Sequence, residues 1–468
     1  LSVTYSPAST RSSGMQSHSE FQTPPPGCPA HADGMRESLH GPEFAAAPQA
    51  VYERLRQHGP VAPVELAPGV EADLVTDYAT ALQVLQNPDT FARDSRRWKA
   101  LNEGRVPLDS PVLPMMMHRP NALFSDGAEH MRLRQSVTAS LARVDTHRLS
   151  RHVNRVGAYL ISQFSSRGRT DLVADYAQLL PLLVFNDLFG CPAEIGDRLV
   201  FGISGIFDGI DAEKANEVLT EALMELVALK RRSPGEDVTS WLMQHPSGLS
   251  DEEMIHQLVT LIAAGTEPTQ NIITSSLLVL LTDEKYAGDH NSAGLLVDDA
   301  INDVLWNSAP IANYGVHYPV RDVELAGTRL SAGDPVVISF AAANTDPSLS
   351  TGRQLLSKRA HLAWGAGPHA CPAKDPATLV SNLAIEKLLN TLPDIELALP
   401  PESLNWRPGP FHRALEVLPA RFTPVRPERR PSDGSVMGGQ TATSGPVQGQ
   451  SGAQKGRWWS SFLSWWKV

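Results

Sequence analysis

The feature that most narrows what this chain can fold into is the stretch His361-Leu362-Ala363-Trp364-Gly365-Ala366-Gly367-Pro368-His369-Ala370-Cys371-Pro372-Ala373. A lone cysteine ends a glycine-punctuated loop, with a histidine two residues before it. Beyond it, Leu379, Leu383, Leu388 and Leu392 recur at helical spacing. Cys371 is therefore a last loop residue shortly before a helix. The N–H groups at a helix start favour an anion, which lowers a thiol pKa and yields the metal-binding thiolate. Gly365 and Gly367 let the backbone turn tightly and approach the sulfur. One thiolate without nearby Cys or His ligands cannot complete a tetrahedral zinc site. It can be the single protein ligand of an iron whose in-plane ligands come from a macrocycle, which is haem.

The stretch resembles the haem-binding loop of cytochromes P450, Phe-Gly-x-Gly-x-His-x-Cys-x-Gly. Trp364 stands for the Phe, Gly365, Gly367 and His369 match, Cys371 matches the axial ligand, and Ala373 replaces the final Gly. The competing reading is a buried structural cysteine at a helix start. A Cys-Pro pair alone carries little weight, since Cys28-Pro29 and Cys191-Pro192 have it too. The resemblance spans about residues 42 to 426. It implies a mainly α fold with small β-sheets, with haem b (iron protoporphyrin IX) between a long I-type helix and the cysteine loop with its following helix.

At 468 residues with 42% apolar content, the chain can build a substantial core as one large or two ordinary domains. Three cysteines argue against a disulfide framework and fit a reducing compartment. A net charge of -11 gives no reason to expect nucleic-acid binding. No apolar run reaches the roughly 18–20 residues needed to span a bilayer, and no N-terminal apolar segment resembles a signal peptide. These features favour a cytoplasmic location.

Residues 1 to about 40 are rich in Ser, Thr, Pro and Gly without periodicity and read as disordered, giving a boundary at 41. The first residue is Leu, and Met15 is a candidate start. Helix is expected over Pro48–Gln57 and Asp77–Leu85, with strands between Val61 and Val75. Asp126 is placed to cap a helix, with Glu129 at the capping-box position. His130 and Arg134, four apart, then share one face, which suits a dianionic partner. On spacing alone that face is equally a solvated basic one. The resemblance gives these two residues the haem propionates. From 140 to 245 helical patterns alternate with loops, and the Gly-interrupted apolar run Ile203–Ile210 is compatible with a mobile lid.

Leu249 to Leu281 is the longest helical pattern, with Ser250 and Glu253 as a capping box. It contains Ala264-Gly265-Thr266-Glu267-Pro268-Thr269, which resembles the I-helix pattern Ala-Gly-x-Glu/Asp-Thr-Thr/Ser. Pro268 occupies the position of the alcohol that relays protons in the family. Proline lacks the N–H that would bond the Ala264 carbonyl, so a kink is expected there, and the freed carbonyl can hold a water. Proton delivery then rests on Glu267, Thr269 and water. Otherwise the kink removes efficient oxygen activation.

The K-helix motif Glu-x-x-Arg is replaced by Asp303-Val304-Leu305-Trp306. The family's Phe-x-Pro-x-Arg-Phe meander, its usual counterpart, is not recognisable. Asp303 must find another cation or donor or face water; Arg353, Lys358 and Arg359 are the candidates. This resembles an actinobacterial subgroup without the arginine. The propionate arginine of the following strand is also missing. His317 is the nearest residue able to carry positive charge, against a plain strand histidine, with Arg321 as the fallback. Val323 to Asp334 reads as a hairpin, and 397–421 as short strands.

Residues 427–454 form a flexible linker by composition. In 455–468, Trp458, Trp459, Phe462, Leu463, Trp465 and Trp466 fall within an arc of roughly 160° at helical pitch. Such a helix lies in a membrane's headgroup layer, which would place the protein at the inner membrane face. Packing on a protein surface or a cloning remnant are the alternatives. The resemblance implies a monooxygenase acting on an apolar small molecule, with electrons from a separate ferredoxin or flavoprotein. Pro268 and the missing arginine motivate two alternatives. One is a haem protein with little turnover that serves as sensor, scaffold or docking subunit; the other is a peroxide-driven oxidase.

Overall fold

A computed structural model describes residues 36–208, 212–286, 293–349 and 359–425. The N-terminal segment up to residue 35, the loop cations Arg353 and Lys358, the linker and the Trp-rich tail lie outside the described residues. The compact unit begins at Glu37, earlier than composition suggests. Glu37 and Ser38 pair in parallel with Val64 and Glu65, and Leu39 is fully buried. These contacts bring residues 37–41 into the folded unit and override their polar composition.

Six short strands form one sheet in the order Glu37–Ser38, Val61–Ala67, Val70–Val75, Val336–Ser339, Asn313–Pro319, Phe91–Ala92. The Val61–Ala67 and Val70–Val75 strands pair antiparallel around Gly69, whose φ of 74° suits the turn. Glu396–Leu397 and Pro419–Arg421 join Arg169–Asp171 in a second small sheet, and Val323–Leu325 with Thr328–Leu330 form the expected hairpin. Helices make up most of the remainder. The long helix, Asp251–Thr282, packs against Leu179–Leu188, Ala293–Asn307 and Lys374–Thr391. The main helical core runs through Leu160, Phe164, Tyr176, Ile273, Leu277, Val380 and Leu388, all nearly solvent-free.

The long helix starts as its sequence dictates. Ser250 Oγ accepts from the Glu253 N–H (3.1 Å) and Glu253 Oε2 accepts from the Ser250 N–H (2.8 Å). Pro268 does not end it; helix continues from Asp251 to Thr282. The helix Ala193–Asp208 takes in most of the run read as a lid.

Asp126 departs from expectation. It stands at the N-cap of Gly127–Leu141, but its side chain makes no cap hydrogen bond. Its carboxylate instead accepts the backbone N–H groups of Arg93 (2.9 and 3.0 Å) and Asp94 (3.0 Å). Two converging donors on a partly buried carboxylate outweigh one cap bond.

Where the Glu-x-x-Arg pair would lie, Asp303 is half-buried and accepts from Asn307 Nδ2 at 2.7 Å. Trp306 is buried and meets the His361 ring edge-on, with centroids 5.8 Å apart. Burial, with Lys374 nearby, pushes the His361 pKa down to about 4. Neutral in the fold and protonated near pH 6.5 when unfolded, His361 stabilises fully above pH 6.5 and loses its contribution as pH falls towards 4. Over that window, urea unfolding of wild type should lose about 3 kcal/mol more than unfolding of His361→Phe. Parallel losses in the two proteins would show that His361 is not held neutral.

Candidate haem site

The cysteine loop is held by its own backbone. The Cys371 N–H bonds the Trp364 carbonyl at 2.8 Å, Gly365 N–H bonds Leu362 at 2.7 Å, and Ala370 N–H bonds Gly367 at 3.1 Å. Gly365 and Gly367 have φ of 67° and 68°, the left-handed region that disfavours a Cβ. A Cβ on Gly367 would stand 2.2 Å from the Leu85 carbonyl oxygen. The loop is thus wedged beneath the end of helix Tyr78–Leu85. Trp364 is half-buried against the helical core.

Helix Lys374–Thr391 follows, with Ala373 at its N-cap. The Ala373 N–H points at the Cys371 sulfur and, with Arg134 and Lys374, favours the thiolate. Burial outweighs them and raises the thiol pKa. The lowered pKa expected from the helix start is therefore not reached by the protein alone. A coordinated metal ion would supply the missing charge, because it deprotonates a bound thiol outright.

On one side of the loop the helix Gly127–Leu141 presents His130 and Arg134. The His130 and His369 rings stack with centroids 4.0 Å apart, and Asp126 lies 3.9 Å from His369 Nε2. Burial lowers the His369 pKa to about 4 despite Asp126, and lowers that of His130, with Arg134 adding to the effect. The Arg134 guanidinium donates to the Ala370 carbonyl, one residue from the cysteine. His317 is 3% exposed, and its Nδ1 meets the Gly315 carbonyl. Burial and the Arg93 guanidinium push its pKa well below the usual value, so at neutral pH it is an uncharged hydrogen-bonding group. The fallback Arg321 is exposed at the strand's end.

The long helix supplies the remaining predicted residues. In its centre Ala264 is exposed and Gly265, Glu267 and Pro268 are half-exposed, while Ile262, Thr266 and Thr269 are buried. That exposed face is the side of the helix on which a ligand could lie. Ala264 is also the residue whose carbonyl loses its helical donor to Pro268. The Glu267 carboxylate is gripped by Arg407, and Asn271 Nδ2 donates to it at 3.3 Å. On the helix's other flank Gly265 meets the Phe185 ring, which a Cβ would strike at 2.7 Å.

These features fit a large dianionic iron macrocycle. A sulfur able to ligate a metal sits on a rigid loop, the long helix exposes Ala264 at its centre, and among the described residues the buried His130 Nε2 has no hydrogen-bond partner. Arg93 and Arg407 belong to the site as well, and sequence reasoning missed both. Arg407 lies in Trp406-Arg407-Pro408-Gly409, which reads only as part of the last short strands, and Arg93 lies in no recognisable motif.

Comparison with known proteins decides the matter. The chain is 31% identical over 397 residues to the cytochrome P450 monooxygenase PikC of Streptomyces venezuelae, spanning 82% of this chain and 92% of that one. The chain belongs to the cytochrome P450 family. It is also 30% identical over 411 residues to 2-hydroxy-5-methyl-1-naphthoate 7-hydroxylase of Streptomyces carzinostaticus, 83% of this chain and 97% of that one. Among solved structures, CYP154A1 of Streptomyces coelicolor A3(2) superposes with a TM-score of 0.72 at 27% identity, covering 82% and 100%. PksS of Bacillus subtilis 168 gives 0.72 at 25%, covering 82% and 99%. No family model matches the chain. The P450 relatives are monooxygenases and hydroxylases, so the chain is a P450-type oxidoreductase that uses haem. No helix among the described residues is long and apolar enough to cross a membrane.

The two loop glycines separate strain from collision. Gly365→Ala adds a Cβ whose nearest atom is 3.7 Å away, so only its positive φ costs energy, about 1–2 kcal/mol. Gly367→Ala adds the clash with Leu85. Its unfolding midpoint should fall further than that of Gly365→Ala, and the purified protein should carry less haem. Equal effects on both readouts would show that the Leu85 contact does not hold the loop.

Proposed function

We propose that the chain is a haem-thiolate monooxygenase that binds haem b and oxidises an apolar small molecule, with electrons from a separate ferredoxin or flavoprotein. Two P450 relatives, one named for polyketide biosynthesis and one as a naphthoate hydroxylase, support a small organic substrate. The observation that carries the reading is the Cys371 sulfur, fixed between the Ala373 N–H and Arg134 at the end of a wedged loop. Cys371 would hold the haem iron through its sulfur, and Trp364, Gly365, Gly367 and Ala373 would shape its seat. His130, Arg134, His317 and His369 border the propionate side. Haem, when bound, supplies dioxygen activation and oxygen-atom transfer.

One oxygen atom of dioxygen enters the substrate and the other leaves as water, so protons as well as electrons are consumed. Glu267 holds its negative charge against Arg407, where it can orient water. Thr269 is the hydroxyl that follows Pro268, and the open Ala264 carbonyl can accept from a water in place of the missing alcohol.

Wild type, reduced and treated with carbon monoxide, should show the shifted Soret band of thiolate ligation, and Cys371→Ala should not. Turnover with a ferredoxin and its reductase supports the monooxygenase reading. Turnover with peroxide alone would replace it with a peroxide-driven oxidase, and turnover with neither would leave a sensor or docking role. Glu267→Gln should lower kcat at least tenfold with haem content unchanged, and Pro268→Thr should raise product formed per electron supplied. The tail carries its own reading, contact with anionic lipid head groups through its Trp face. Removal of residues 455–468 should abolish flotation with anionic liposomes; unchanged flotation rejects the contact.

A further inference from the structure

The propionate side of the site has lost the strand arginine that the family places after the K helix, and His317 there is uncharged. The compensating cation stands one strand away. Phe91–Ala92 pairs antiparallel with Asn313–Pro319, Phe91 opposite Pro319 and Ala92 opposite Tyr318. One step further in this register sets Arg93 against His317. The Arg93 residue is only 5% exposed. Its guanidinium donates to the Val316 carbonyl at 2.8 Å and reaches the Leu123 carbonyl at 3.4 Å, and it lies 5.7 Å from the Tyr314 ring centre.

No carboxylate pairs with this guanidinium among the described residues. The acid acting on it, Asp126, spends its oxygens on the backbone N–H groups of Arg93 and Asp94 and faces His369. Carbonyl dipoles alone poorly offset a desolvated guanidinium, so an anion is missing from its surroundings. Asp126, which accepts the Arg93 N–H, lies 3.9 Å from His369 Nε2, and the His369 ring stacks on His130 with centroids 4.0 Å apart, which places Arg93 in the cluster beside the cysteine loop. In that same cluster His130 Nε2 is buried without a partner. An anion that enters here meets a buried cation and a waiting polar nitrogen together.

We propose that Arg93 binds a haem propionate, taking over across the strand pair the charge that the family draws from the position of His317. The proposal rests on the haem-binding reading above and adds a residue outside the family's motifs. It makes Arg93 a cofactor-binding residue whose bond is to a carboxylate, so it should discriminate haem from haem dimethyl ester, whose propionates carry no charge.

The test measures haem release from holoprotein to an excess of apomyoglobin, for haem and for the dimethyl ester, in wild type, Arg93→Gln and Arg93→Lys. Arg93→Gln should release haem about 10–100-fold faster, the equivalent of one lost charge-assisted hydrogen bond, and release the ester at the wild-type rate. Arg93→Lys should fall between. His317→Arg added to Arg93→Gln should slow haem release again. Wild-type haem release from Arg93→Gln overturns the proposal. So does equal acceleration for haem and ester, which would mark Arg93 as a strut for the Val316 and Leu123 carbonyls only. Should Arg93→Gln yield no holoprotein, the same comparison on Arg93→Lys decides: greater loss for haem than for ester supports the proposal, equal loss overturns it. A wild-type protein without the carbon-monoxide Soret band would instead overturn the haem-thiolate reading, independently of Arg93.

Discussion

The site depends on the contact between Gly367 and the carbonyl of Leu85. A loop held only by its own hydrogen bonds can shift as a unit; a loop pressed against a helix end cannot. Because the space beneath Leu85 admits no Cβ, the loop must turn with positive φ at Gly367 and again at Gly365. Those turns leave the Cys371 N–H to close on Trp364 and direct the Ala373 N–H at the sulfur. Without a metal the burial that follows opposes the thiolate. A half-buried sulfur with one backbone N–H and the charges of Arg134 and Lys374 nearby, yet with its thiol pKa raised by burial, is better suited to a bound positive ion than to free thiol chemistry. The same burial that raises its proton affinity would strengthen a bond to iron.

A second constraint concerns charge in the interior. The family's Glu-x-x-Arg pair is desolvated and holds only if its geometry and all its hydrogen bonds are complete. Replacing such a pair with well-packed neutral groups is often neutral or stabilising, whereas removing one partner alone costs about 3–5 kcal/mol. This chain follows the first course. Asp303 withdraws to a half-buried position and bonds Asn307, while Trp306 fills the arginine's volume against a neutral His361. The unrecognisable meander accords with this, since a meander arginine would otherwise be a cation without an acid. On the propionate side the opposite holds. A cation is needed there, and the buried Arg93 stands where one strand step returns it to the lost position.

What could be read in the sequence was local. The loop, the Ser250 capping box, the Val323–Leu330 hairpin and the helix after Cys371 depend on residues a few positions apart, and period and turn chemistry reveal them. The contacts that complete the site join distant residues. Arg93 reaches Val316 across 223 positions and Glu267 meets Arg407 across 140. An isolated arginine in Phe91-Ala92-Arg93-Asp94 carries no periodic or motif signal, and only the strand register exposes it. Asp126 shows the converse error. Its spacing to Glu129 promised a capping box, yet tertiary donors on Arg93 and Asp94 took its carboxylate.

Pro268 illustrates how position sets the cost of a substitution. In a helix interior proline costs about 3 kcal/mol, in part because a carbonyl four residues back is left unbonded in a low dielectric. Here that carbonyl belongs to Ala264, on the face open to the cleft. There solvent can reach it, which would reduce the penalty, and the helix continues to Thr282. A water bound there would have a fixed acceptor beside Glu267. Because Arg407 and Asn271 hold Glu267 in place, a swinging carboxylate is a poor carrier of protons here. In our reading the proton path is the ordered water itself, with the proline creating its anchor and the acid setting its orientation. A threonine at 268 would restore the family's hydroxyl but return the Ala264 carbonyl to the helix, so the two routes exclude one another at this position.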